Sequence, residues 1–103
     1  MDKIKNIIYE TLKELNLSVA KILLFGSRAT ENYRPDSDYD ILVVINEDIE
    51  NDLKIKISCA ITRRLADIWI DADIIVKSNS ELDEYKNRIG SIVRVALNEG
   101  VLV

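Results

Sequence analysis

Histidine is absent from the 103 residues, and cysteine occurs once, as Cys59. Without histidine, Ser-His-Asp and Cys-His catalysis are excluded, together with most transition-metal sites. A lone cysteine excludes an internal disulfide and leaves too few thiols for a zinc site; it reads as a buried helix thiol. Any bound metal is therefore expected to be hard and oxygen-liganded, which favours Mg²⁺ or Mn²⁺. Basic charge is also short: 14 Lys and Arg stand against 18 Asp and Glu, a net charge of −4. That balance argues against broad, sequence-independent nucleic-acid binding, which needs a basic surface. Arg63, Arg64, Arg88 and Arg94 read as solvated helix faces. Long apolar runs are missing too, since charges interrupt every one before the roughly 20 residues of a membrane span. Residues 1–6 begin an amphipathic segment without the apolar core of a signal peptide. The expectation is a cytoplasmic protein with no membrane contact.

What is present suits a globular chain: 48% hydrophobic and 31% charged residues, in a length that supports one hydrophobic core and hence a single domain over 1–103. Ile4, Ile7, Ile8, Leu12 and Leu15 recur at helical spacing over residues 3–16, with Asn16 as the stop. Residues 21–25 form a short apolar run closed by Gly26, a buried strand. Residues 27–37 are polar, contain Pro35, and form a connection whose first turn is helical from Ser27. A second strand follows over 38–45. Leu53, Ile57, Ala60, Ile61, Leu65 and Ile68 predict a long helix over about 49–68, and 69–76 a third strand. Residues 77–79 read as a turn, Ser80 as the N-cap of a helix broken at Gly90, and Gly100 as a C-cap before a short strand at 101–103.

Chemistry concentrates at strand boundaries. Asp38 and Asp40 are one residue apart, so they share a face of the second strand while Tyr39 points the other way. A turn rich in Asp and Ser accounts for Asp36 and Ser37. It accounts poorly for Asp40, which precedes five apolar residues and is costly there unless paired or metal-bound. A strand–helix–strand order normally yields parallel strands, which brings Asp71 and Asp73 to the same end of the sheet. Asp73 is preferred over its competitor Asp71 because it adjoins the apolar run. Gly26 and Ser27 supply a backbone that can approach an anion and a hydroxyl that can bond it. The spacing is not that of a P-loop. Arg28 and Arg34 flank the connection and can neutralise phosphate or pair with an acid; Tyr33 can stack on a base or cover the loop.

Gly26-Ser27, then ten residues, then Asp38-Tyr39-Asp40 resembles the signature of the nucleotidyltransferase superfamily related to DNA polymerase beta. The wider string Gly26-Ser27-Arg28-Ala29, Arg34-Pro35-Asp36-Ser37-Asp38 and Asp40-Ile41-Leu42, with the closing Asn98-Glu99-Gly100, is similar to its minimal nucleotidyltransferase branch. The resemblance implies an α+β fold, a two-layer arrangement with a small mixed sheet packed by helices. It implies transfer of a nucleoside monophosphate, AMP from ATP, to a hydroxyl, with release of pyrophosphate. In that pattern Asp38, Asp40 and Asp73 are catalytic and hold Mg²⁺, with room for two ions and for Mn²⁺ as substitute; Gly26, Ser27 and Arg28 bind the nucleotide. The branch commonly acts beside a small all-helical HEPN toxin, as a type VII-like antitoxin that adenylylates a toxin tyrosine. Partners implied are therefore ATP or another NTP and a HEPN-type protein, in a homo- or hetero-oligomer. Where the branch often has Arg then Gly, this chain has Thr30 and Glu31. The rival reading is a non-catalytic module of the same fold that neutralises its partner by contact. Transfer to RNA ends or to an aminoglycoside-like molecule fits less well, for want of appended domains and a basic surface.

Overall fold

The computed structural model describes residues 1–29, 38–86, 88 and 90–103, with only the backbone given for Ser27 and Ala29. The chain opens with α1 (Asp2–Glu14), which buries Ile4, Ile8 and Leu12 one turn apart. It stops where the N–H groups of Asn16 and Leu17 turn back to the carbonyls of Lys13 and Leu12, at 3.0 and 2.9 Å. Asn16 sits at φ 57°, the left-handed seat that asparagine accepts at a helix end.

Four strands then make one mixed sheet in the order β3-β2-β1-β4. β1 (Val19–Phe25) starts earlier than its apolar run suggested. It pairs antiparallel with β2 (Tyr39–Ile45), Phe25 lying opposite Asp40. β2 pairs parallel with β3 (Ala72–Ser78), Asp40 beside Asp73. Residues 41–45 are buried without a break because β2 is an interior strand covered on both faces, which is why its sequence shows a run and not an alternation. β4 (Val101–Leu102) adds a short antiparallel pairing to β1.

The alternating faces divide the core. Ile41, Val43 and Ile45 pack with Ile22, Leu24, Ile74 and Val76 against α1 and α2 (Asn51–Ala66). Leu42 and Val44 pack with Leu23 and Phe25 beneath α3 (Leu82–Lys86) and α4 (Ile92–Glu99). The mixed sheet packed by helices is the expected α+β fold. Among the described residues no helix is long and apolar enough to cross a membrane.

Several boundaries depart from expectation. The third strand begins at Ala72 and not at Trp69. α2 ends in a Schellman turn: Trp69 and Ile70 donate to the carbonyls of Ala66 and Leu65, each at 3.0 Å, with Trp69 at φ 64°. At its other end β3 absorbs Lys77 and Ser78, which had read as a turn. Ser78, and not Ser80, is then the N-cap, sharing a capping box with Glu81; the Ser80 hydroxyl bonds the Asp48 carboxylate instead. Cys59 is exposed, because it stands two positions from buried Ile57 and so faces away from the sheet. The helical pattern after Leu82 does break at Gly90, at φ 84°.

Candidate active site

The site is built where β2 and β3 both begin. Parallel pairing in register puts Asp40 and Asp73 side by side. Both project toward the α3 and α4 face, since Tyr39, Ile41, Ala72 and Ile74 belong to the opposite core cluster. The two carboxyl groups are close enough to hydrogen-bond to one another. Burial, the charge of Asp73, the charge of Asp38 and that hydrogen bond all push the Asp40 carboxyl above its ordinary value of 3.8. Asp38 is exposed just ahead of β2. Asp71 is also exposed; its carbonyl accepts the Tyr39 N–H at 3.0 Å and so serves the ladder between the strands.

Gly26 closes the site on the other flank. It begins a 3₁₀ turn, Gly26–Ala29, directly after β1, at φ 72°. A Cβ placed on it would collide with an Asp40 carboxylate oxygen and lie 3.0 Å from Asp40 Cγ. Two separate demands thus fall on glycine here: a left-handed backbone and a close approach to a carboxylate. Across the sheet the order is the Gly26 turn, Asp40, then Asp73.

Arg28 stands in the same 3₁₀ turn as Gly26. Its guanidinium lies 4.4 Å from the centroid of the Tyr39 ring, a cation–π contact, and Tyr39 packs with the α1 and α2 core. The backbone of Ser27 continues the turn from Gly26. Arg34, Tyr33, Thr30 and Glu31 lie outside the described residues. Of the other arginines, Arg64 donates to Glu14 at 2.7 Å and Thr11 at 2.9 Å, and Arg88 lies over Tyr85; these two are tied to opposite faces of the sheet.

The donor set is oxygen only, which suits a hard divalent cation. Among the described residues no three acidic, cysteine or histidine side chains group closely enough to hold a metal alone. The carboxylates fit such an ion nonetheless. Asp40 feels the charges of Asp73 and Asp38, a repulsion that a cation would relieve, and phosphate oxygens or water can complete such an ion's shell. Sequence reasoning passed over two features: the Arg28 contact with Tyr39, and Trp69, whose signal was a lone tryptophan between isoleucines directly after a helix with no glycine to end it.

The family model described as a nucleotidyltransferase domain matches residues 5–102. A search of curated proteins finds no match. Among solved structures, the toxin–antitoxin complex MntA-HpeT, in a mutant with two aspartates changed to glutamate, is similar with a TM-score of 0.58 and 17% identity, covering 98% of this chain and 69% of that one. A toxin–antitoxin complex with AMP-PNP is similar with a TM-score of 0.54 and 20% identity, covering 95% and 70%. At these identities the likeness is one of fold.

Proposed function

Because the chain belongs to the nucleotidyltransferase domain family, we propose that it transfers AMP from ATP to a hydroxyl of a partner protein, a tyrosine of a HEPN-type toxin, and so acts as the antitoxin. The observation that carries this reading is the pairing of Asp40 with Asp73 in register, with Gly26 pressed against Asp40. The toxin–antitoxin character of the similar folds, one solved with AMP-PNP, supports the nucleotide and the kind of partner.

In this reading Asp38 and Asp40 hold Mg²⁺, with Asp73 completing the set. Bound there, the ion would neutralise phosphate charge and favour ionisation of the acceptor hydroxyl. The turn at Gly26 and Ser27 presents backbone N–H groups to the triphosphate. Asp73, the more exposed of the paired carboxylates, accepts the proton of the acceptor hydroxyl. The acceptor oxygen forms a bond to the α-phosphorus, the bond from that phosphorus to the β-phosphate bridge breaks, and pyrophosphate leaves with the electron pair. Rate comes from positioning and charge neutralisation more than from covalent participation by the protein.

The test uses the protein, Mg²⁺, ATP labelled at the α-phosphate and a HEPN-type protein as the acceptor. Label is expected on the partner, lost with Asp40→Asn and with Asp73→Asn and retained with Asp71→Asn. Partner neutralisation without label, surviving Asp40→Asn, would overturn transfer in favour of neutralisation by contact.

A further inference from the structure

Trp69 is the single tryptophan of the chain and is 95% exposed. It occupies the left-handed C′ position of the Schellman turn that ends α2, where glycine is the default. Neither backbone preference nor burial within this fold accounts for a large aromatic there. Ile68 beside it is also exposed, while Ile70 turns in to the core. Exposed Asp67 and Asp71 bracket the three, so an apolar tip stands on an acidic base.

The position relative to the carboxylates gives the tip a use. The Gly26 turn flanks Asp40 on the β1 side, and Asp73 flanks it on the β3 side. The corner bearing Trp69 feeds directly into Asp71 and Asp73, so whatever sits on it approaches from the side away from the phosphate turn. β3 is the outer strand of the sheet among the described residues. The two elements joined by this corner enclose, further along, a groove of about 350 Å³ whose apolar wall is Ile55, Ile74, Ile75 and Val76 and whose far end carries Lys54 and Lys77. The Ser58 hydroxyl already bonds the Ile74 carbonyl, which blunts this edge for strand addition and leaves side-chain packing as the mode of contact.

We infer that the corner at Trp69 is the anchor on which the acceptor protein docks. Trp69 enters an apolar pocket of the partner, basic side chains around that pocket meet Asp67 and Asp71, and the partner lies along the β3 edge with its hydroxyl led to Asp73. This rests on the transferase reading above. Tryptophan is the residue type most enriched among interface hot spots, and the two aspartates that bracket it, Asp67 and Asp71, favour basic side chains at the rim of the pocket it enters.

Calorimetric titration with the HEPN-type protein that serves as acceptor in the transfer assay tests it on the full chain as wild type, Trp69→Gly and Asp40→Asn. Glycine suits the left-handed seat, so Trp69→Gly keeps the fold. Its affinity for the partner is expected to fall by about tenfold or more, with MgATP affinity unchanged, while Asp40→Asn binds the partner as wild type does. Asp67→Lys should slow association, and less so at high salt. Partner affinity of Trp69→Gly equal to wild type, or no affinity in wild type, would overturn the anchor. So would a wild-type dimer in sedimentation that Trp69→Gly dissolves, which would make a second copy the occupant, or a loss of MgATP affinity, which would put Trp69 on the nucleotide side. Affinity lost in Trp69→Gly when wild type labels no partner supports the anchor and removes the transferase reading, so the two fail separately.

Discussion

Gly26 answers to both its own backbone and a neighbour's carboxylate, so Gly26→Ala tests the site at one atom. The added Cβ meets the Asp40 side chain and the backbone stays at φ 72°, an angle that costs a residue bearing a Cβ about 1–2 kcal/mol. Asp40 must swing away from Gly26, and so out of its present seat, to make room. Gly26→Ala is expected to lower stability by about 1–3 kcal/mol in urea unfolding and to lower nucleotidyl transfer by roughly a hundredfold. Transfer at the wild-type rate would mean that Asp40 does not need its present seat.

At the scale of elements, the turn from β3 into α3 is held by one carboxylate. Glu81 accepts the Ser78 N–H at 2.8 Å and the Lys54 ammonium at 2.7 Å, tying α2 to the capping box. Lys54 is almost buried, and Glu81 is mostly shielded. Burial raises the Glu81 pKa, but the Lys54 and Ser78 hydrogen bonds and the charges of Lys54 and Lys77 outweigh it, so the value falls below the ordinary 4.5. A carboxylate with a depressed folded pKa stabilises the protein above its unfolded value, and that contribution disappears as pH falls through the folded one. Glu81→Ala is accordingly expected to cost about 1–2 kcal/mol in denaturant unfolding at pH 7. The gap from wild type should close as the pH is taken well below 4.5. A gap that stays constant with pH would assign the effect to packing and not to charge.

At the scale of the whole molecule, the fold sets acidic strand ends side by side at one end of the sheet and covers the rest with helices on both faces. That arrangement works against its own stability, and under the proposed function a bound cation would offset it. Asp40→Asn removes a carboxyl held above its ordinary pKa, so the variant without ligand is expected to melt at or above the wild-type Tm, as happens where function opposes stability. Adding Mg²⁺ with ATP at about 100 times Kd contributes about 2.7 kcal/mol to the wild type, a rise of roughly 10 °C for a domain this small. Asp40→Asn should show little of that rise in differential scanning fluorimetry. An equal rise in both proteins would place the bound ion or nucleotide away from Asp40.

The sequence by itself determined most of the elements and the kind of chemistry. Apolar spacing gave α1 and α2, the unbroken run at residues 41–45 announced an interior strand, and the absence of histidine left oxygen as the ligand type. These are legible because helix and strand periods are local, and because a residue type that is missing is missing everywhere. Tertiary structure alone decided who meets whom. Register put Asp73 and not Asp71 beside Asp40, a two-residue matter that no local pattern fixes, since both aspartates lie on one face of a strand read from its alternation. Arg28 came to lie over the Tyr39 ring, and Lys54, 27 positions away, holds the Glu81 carboxylate that makes Ser78 and not Ser80 the cap. Trp69 read as the start of a strand because it follows the last helically spaced residue, Ile68, and leads into the apolar run at residues 74–76. The hydrogen bonds that end α2 claimed its backbone first, and left the largest side chain of the protein pointing into solvent.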